Sequence, residues 1–199
     1  MTVRNLFATP LYEADIGDAD LVSDLAHSIR SLARDDGAGR RWSSKHHYPG
    51  YTSYGSLNDL PKRDPAFADL QKLLRRHAAE FAWECAFDLS RKPRLDSLWV
   101  NLLKTGGRHS GHLHTQSMIS GTFYVEAPPG SGAIGFEDPR LPMMMAAPQR
   151  RGDAPVELQT FVEVQPRPGL LLMWESWLRH EVRPGRGRGE RLSISFNFA

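Results

Sequence analysis

The chain has 199 residues, of which 40% are hydrophobic and 24% charged, with a single cysteine, Cys85. That is enough for one domain with a real core, and it excludes a disulfide-stapled scaffold. A formal net charge of +2 is too small to argue for nucleic acid or an anionic membrane surface as a partner.

The N-terminal ten residues hold no long apolar stretch of signal-peptide type, and no apolar run approaches membrane-spanning length, so a cytoplasmic protein is expected. Asp18 is placed to cap a helix running to about Asp36, where Gly37 stops it. Val22, Leu25, Ile29 and Leu32 fall at helical spacing. Residues 38–63 are rich in Gly, Ser, Tyr and Lys and show no period, which predicts a long loop; its Tyr48, Tyr51 and Tyr54 are candidates to cover a site. A second helix starts at the cap Asp64 with Pro65 in its first position. Phe67, Leu70, Leu74, Ala78, Phe81 and Cys85 form its apolar stripe.

After Pro93 the pattern turns to strands, predicted at 95–104, 109–114, 119–125, 133–136, 161–165, 170–174 and 192–198. Short strands separated by turn residues argue for an antiparallel sandwich or barrel. The expected organisation is one domain over 1–199. Residues 1–92 supply helical support and a loop, and 93–199 the β-barrel core.

Three of the eight histidines lie in His109-Ser110-Gly111-His112-Leu113-His114. Along a strand, side chains at i and i+2 share a face, so His112 and His114 are expected together and His109 on the opposite face, in a supporting or surface role. His180 follows 66 residues after His114, where antiparallel packing can return it to the pair. Two close histidines and a distant third leave half a coordination sphere open, as an oxygen-activating iron site requires.

On the last strand Arg191, Ser193, Ser195 and Asn197 share one face, and Leu192, Ile194, Phe196 and Phe198 the other. If the polar face lines the barrel, Arg191 is a buried cation in need of an anion. A dicarboxylate suits it, because guanidinium and carboxylate pair through two parallel hydrogen bonds, and Ser193 can add a hydroxyl. Tyr124 is read as a donor to the same co-substrate or as a core aromatic, and Asn101 as facing the cavity. Met143-Met144-Met145 is expected to pack, and Glu175 is a candidate acid. Arg183, Arg186 and Arg188, interleaved with glycines, read as a solvated turn, since no aromatics stand between them to stack bases.

The histidine pair, distal histidine and following arginine resemble the iron(II)- and 2-oxoglutarate-dependent oxygenases. More narrowly, the chain is similar to a bacterial and phage family of that type. The resemblance is carried by Phe7-Ala-Thr-Pro-Leu11, Gly106-Gly-Arg-His-Ser-Gly-His-Leu-His114, Ile119-Ser-Gly-Thr-Phe-Tyr-Val125, Gly135-Phe-Glu-Asp-Pro-Arg140, Trp177-Leu-Arg-His180 and Glu190-Arg-Leu-Ser-Ile-Ser-Phe-Asn197. It implies a double-stranded β-helix, a jelly-roll or cupin-like barrel backed by N-terminal helices. It also implies Fe(II) on His112, His114 and His180 as the catalytic centre, with 2-oxoglutarate anchored by Arg191, Ser193 and Tyr124. O₂ and an unidentified small-molecule or peptide substrate would complete the reaction, a C–H hydroxylation with release of succinate and CO₂.

One position departs from the superfamily, which usually has Asp or Glu where this chain has His114. A three-histidine site is favoured, with Glu126 and Asp138 as the carboxylates able to arrive from elsewhere. The residues alone also leave open a cupin-like three-histidine metalloenzyme that does not use 2-oxoglutarate, a non-catalytic β-sandwich binding module, and the oligomeric state, a homodimer included.

Overall fold

The structure, a computed structural model, describes residues 2–199. Ten strands form two antiparallel sheets. They are β1 (Leu11–Asp15), β2 (Gly50–Thr52), β3 (Leu95–Leu103), β4 (His109–His112), β5 (Ile119–Glu126), β6 (Ile134–Glu137), β7 (Phe161–Val164), β8 (Leu170–Glu175), β9 (His180–Val182) and β10 (Arg191–Phe198). The major sheet has the order β1-β8-β5-β10-β3-β2 and the minor sheet β4-β9-β6-β7. The helices are α1 (Ala19–Asp35), α2 (Gly37–Lys45), α3 (Leu60–Arg63) and α4 (Pro65–Glu84).

The alternation read on the last strand decides the layering. Leu192, Ile194, Phe196 and Phe198 are fully buried in one core with Leu25 and Ile29 of α1 and Phe67, Leu70, Leu74 and Phe81 of α4. Burying each such side chain contributes roughly 1.5–3 kcal/mol, so this helix-backed face anchors the major sheet. A smaller apolar cluster lies under the other face and includes Tyr124, Ile134, Phe136, Leu172 and Trp174. The polar face of β10 is thereby left to line a cavity.

Both predicted helices form with the predicted caps. The Asp18 carboxylate accepts from the Leu21 N–H at 2.9 Å, and Asp64 accepts from Ala66 at 2.9 Å. Residues 38–63, however, are not a loop: they hold α2, β2 and α3. Asp36 is the reason the chain restarts as helix after α1. It ends α1, and its carboxylate then caps α2 by accepting from Gly39 N–H at 2.9 Å, from Tyr51 Oη at 2.9 Å and from Ser56 Oγ at 2.6 Å. Helix α2 carries little apolar periodicity, and β2 is only three residues long, so pattern reading passes over both. Tyr51 is 4% exposed and belongs to the core rather than to a cover over the cavity. The methionine stretch also departs from expectation: Met143, at the end of a surface 3-10 turn, and Met145, just past it, are 76% and 95% exposed.

Because one carboxylate serves three donors, Asp36→Ala is expected to cost about 2 kcal/mol. Lost capping contributes roughly 1 kcal/mol, and the Tyr51 hydroxyl left without its acceptor supplies the rest. Urea denaturation of the two proteins checks this.

Candidate metal centre and co-substrate cavity

His112 and His180 stand directly opposite each other in the β4–β9 ladder, the closest approach that two side chains on neighbouring strands have. His114 lies just past the end of β4, where its N–H donates to the Ser176 carbonyl at 2.9 Å. The three imidazoles offer nitrogens that all lie within 4.8 Å of one another. Their ring centroids are 4.4 Å (His112–His180), 5.3 Å (His112–His114) and 5.3 Å (His114–His180) apart.

Hydrogen bonds orient two of the rings. His112 Nδ1 lies 2.8 Å from the Ser110 carbonyl oxygen and His180 Nδ1 2.9 Å from that of Leu178. A carbonyl only accepts, so each Nδ1 carries a proton and Nε2 is the nitrogen left free to meet a metal. Trp174 packs edge-on against the His180 ring at 4.6 Å, and Trp99 lies near-parallel to His114 at 6.1 Å. The two carboxylates weighed as alternative ligands are engaged elsewhere. Glu126 takes two hydrogen bonds from Arg30, at 2.7 and 2.6 Å, and Asp138 pairs with Arg140 at 2.8 Å. Glu175 accepts from the Trp177 indole at 2.8 Å and lines a neighbouring cleft beside His114.

His109 corrects the simple alternation argument. On β4 the ladder advances three residues from His109 to His112, while β9 advances two, from Val182 to His180. This bulge turns His109 onto the cavity side. There its Nε2 is 2.9 Å from Tyr48 Oη, which also donates to Asn101 Oδ1 at 3.1 Å.

The imidazoles face a cavity of about 470 Å³ whose opposite wall is the polar face of β10. Ser193 pairs across the sheet with Tyr124 and Asn101, and Asn101 with Thr52, so four strands contribute one polar row. Thr52 Oγ1 donates to Asn101 at 2.9 Å, and Asn101 Nδ2 donates to Ser195 at 3.0 Å. Arg191 closes this wall at 6% exposure. Its one hydrogen bond runs from NH1 to the Gly132 carbonyl at 3.1 Å, its Nε has no partner, and its guanidinium carbon lies 5.7 Å from the Tyr124 ring centre. No carboxylate among the described residues pairs with it. The sequence pointed to Arg191, Ser193, Tyr124 and Asn101, and to Tyr48 and Tyr54 as covering residues, all of which line the cavity. Thr52, Trp99 and Trp174 were missed, although Trp99 shares the alternating face of Asn101 and was legible on that ground.

Burial sets the protonation states. It pushes His180 down to about 3, helped by the neighbouring imidazoles and opposed by the Leu178 carbonyl. His114 falls to about 4 through burial and the adjacent His112, and His109 to about 4 through burial and the Arg191 charge. Burial raises Tyr124 to about 12, against the pull of Arg191, so its hydroxyl keeps its proton at neutral pH. Unfolded, these histidines titrate near 6.5; folded, they resist protonation to a lower pH, so below about 6.5 the unfolded chain binds more protons. The metal-free protein is therefore expected to keep full stability above that pH and lose it progressively towards pH 4. Thermal midpoints measured across the range check the sign.

The donor set suits a divalent metal held by neutral imidazoles, and the buried, unpaired guanidinium suits a carboxylate. A family model described as "Putative 2OG-Fe(II) oxygenase" matches residues 97–197. The chain belongs to this family. That stretch runs from β3 to β10 and so contains the histidines and the polar wall of the cavity. Solved structures agree on the fold of this oxygenase. A Pseudomonas putida prolyl-4-hydroxylase is 19% identical, with a TM-score of 0.63, covering 96% of this chain and 92% of that one. The epimerase SnoN from nogalamycin biosynthesis, with Fe3+ and alpha ketoglutarate bound, is 15% identical, with a TM-score of 0.65 and coverage of 96% and 79%. HygX from Streptomyces hygroscopicus, with nickel and 2-oxoglutarate bound, is 15% identical, with a TM-score of 0.59 and coverage of 96% and 82%. No curated protein matches the sequence. The oxygenase thus has the double-stranded β-helix architecture that its resemblance implied, and Fe(II), 2-oxoglutarate and O₂ are the cofactors of its class. No helix among the described residues is long and apolar enough to cross a membrane.

Proposed function

We propose that His112, His114 and His180 hold the iron, that Arg191 anchors the far carboxylate of 2-oxoglutarate, and that Ser193 and Tyr124 add hydroxyl donors beside it. When bound, iron and 2-oxoglutarate supply the oxidation: O₂ gives one oxygen atom to succinate as CO₂ leaves, and the other to a C–H bond of the substrate. The protein's part is binding and orientation. The Nδ1 bonds to Ser110 and Leu178 fix two rings. The Tyr48–His109–Asn101 network holds one cavity wall, and Trp174 covers His180 from the core side.

The observation that carries this reading is Arg191, a buried cation with no anion among the described residues, facing a cavity it shares with three clustered imidazoles. A three-histidine enzyme without 2-oxoglutarate would leave that charge unexplained, and a metal-free binding module would leave unexplained why three imidazoles offer nitrogens within 4.8 Å of one another. The substrate is a small molecule or a peptide side chain. The single cysteine supports a cytoplasmic setting, and nothing in the charge balance calls for a nucleic-acid or membrane partner. Succinate release from 2-oxoglutarate with Fe(II) present tests the proposal: wild type is expected to release it and His180→Ala not to. Equal release from both sinks the reading.

A further inference from the structure

The cavity's formal charges are separated. Among the described residues that line it, Arg191 is the one Arg or Lys and is 6% exposed, whereas Asp96 is the one carboxylate and keeps 47% of its side chain exposed. Asp96 is also nearly unengaged: its contact with Arg94 is 3.5 Å long and solvent-exposed, a pair worth close to nothing. Trp99, three residues on from Asp96 along β3, and Tyr54 line the same cavity, and Tyr54 is 64% exposed without serving the core. Trp42 lines the cavity too and meets Tyr54 with ring centroids 5.8 Å apart, its own ring stacked on His46 at 4.1 Å.

The ring angles separate two kinds of ligand. A planar ring or nucleobase needs parallel faces to lie between. Here Tyr54 and Trp99 meet at 71°, with centroids 5.3 Å apart, and Trp42 and Tyr54 at 64°. Such walls form a corner rather than a slot. A corner of aromatic faces that shares its cavity with a carboxylate attracts a cation through the ring quadrupoles and the negative charge together. The same carboxylate repels a phosphate.

We propose that the primary substrate presents a cationic nitrogen, an alkylated ammonium or a protonated amine, to Tyr54, Trp99 and Asp96 at the mouth of the cavity. The proposal rests on the oxygenase reading of the site, and deepens it by naming the substrate class.

Choline and its uncharged isostere 3,3-dimethyl-1-butanol are the probes. Ligand-observed NMR titrations would use the full chain loaded with zinc, a diamagnetic stand-in for iron, and 2-oxoglutarate. Choline is expected to bind about tenfold more tightly than the isostere, the size of a partly desolvated cation–aromatic contact. Asp96→Asn is expected to cut that preference to about threefold, and Trp99→Leu to remove it. Because Asp96 is exposed, its variant tests the idea even if Trp99→Leu fails to fold. Equal binding of the two probes, binding of neither, or tighter binding of adenosine than of choline would overturn the proposal. Succinate release by the iron-loaded protein is read separately. Release without a choline preference overturns the substrate class alone, and a choline preference without release overturns the oxygenase site.

Discussion

Replacing His180 by alanine is expected to weaken iron(II) binding by more than about a hundredfold. Removing only a partner that orients a metal-bound histidine costs about 10–100-fold, and here a ligand itself is lost. The ring is 5% exposed, sits opposite His112 in the ladder, and has its tautomer set by the Leu178 carbonyl. The two carboxylates weighed as alternative ligands, Glu126 and Asp138, are held by arginines. The truncation also removes packing against Trp174. His180→Gln, which fills the space without an imidazole, separates the two effects: both variants are expected to lose metal affinity alike, and only alanine to lose folding stability. Calorimetric titration with iron(II) under anaerobic conditions reads the affinities. Retained affinity in both variants would remove His180 from the centre.

Arg191→Met is expected to act with opposite signs on two quantities. Breaking a buried, hydrogen-bonded charge pair costs about 2–5 kcal/mol, so 2-oxoglutarate affinity should fall by about a hundredfold or more. The metal-free, ligand-free protein should instead be as stable as wild type or more stable by about 1 kcal/mol. Its buried guanidinium has one hydrogen bond, an orphaned Nε and no carboxylate, and replacing such a group by an apolar side chain of similar volume is often neutral or stabilising. Adding 2-oxoglutarate should raise the thermal midpoint of wild type and leave that of the variant in place. A purely structural arginine, acting through Gly132 and the Tyr124 ring, would give the reverse: lower stability and unchanged 2-oxoglutarate affinity. Iron binding by Arg191→Met should match wild type, which separates this variant from His180→Ala.

What was legible in the sequence follows the strength of each local signal. Helix α4 and strand β10 were clear because each carries one periodicity over many residues, with Asp64 and Pro65 marking the helix start. On β10 that alternation also separated the core side chains from Arg191, Ser193, Ser195 and Asn197. Strands β1, β2 and β9 are five, three and three residues long, too short for alternation to show; β1 and β2 form on the free edges of β8 and β3, and β9 pairs on both sides, between β4 and β6. Helix α2 depends on Asp36 doubling as the end of one helix and the cap of the next, a tertiary arrangement that also draws in Tyr51 and Ser56. His109 was misplaced for a different reason. Counting by twos assumes an unbroken ladder, and the bulge between His109 and His112 breaks it. His112 and His114 were correctly paired although β4 ends at His112, because the Ser176 carbonyl holds His114 close beside the strand.

The central claim is that three histidines and Arg191 form one site, with imidazole at His114 where the superfamily usually has a carboxylate. A crystal structure of the oxygenase grown anaerobically with iron(II) and 2-oxoglutarate tests it most directly. Iron is expected on the imidazoles of His112, His114 and His180, with the far carboxylate of 2-oxoglutarate on Arg191. Iron ligated by a carboxylate of the protein in place of His114, or 2-oxoglutarate bound away from Arg191, would contradict it.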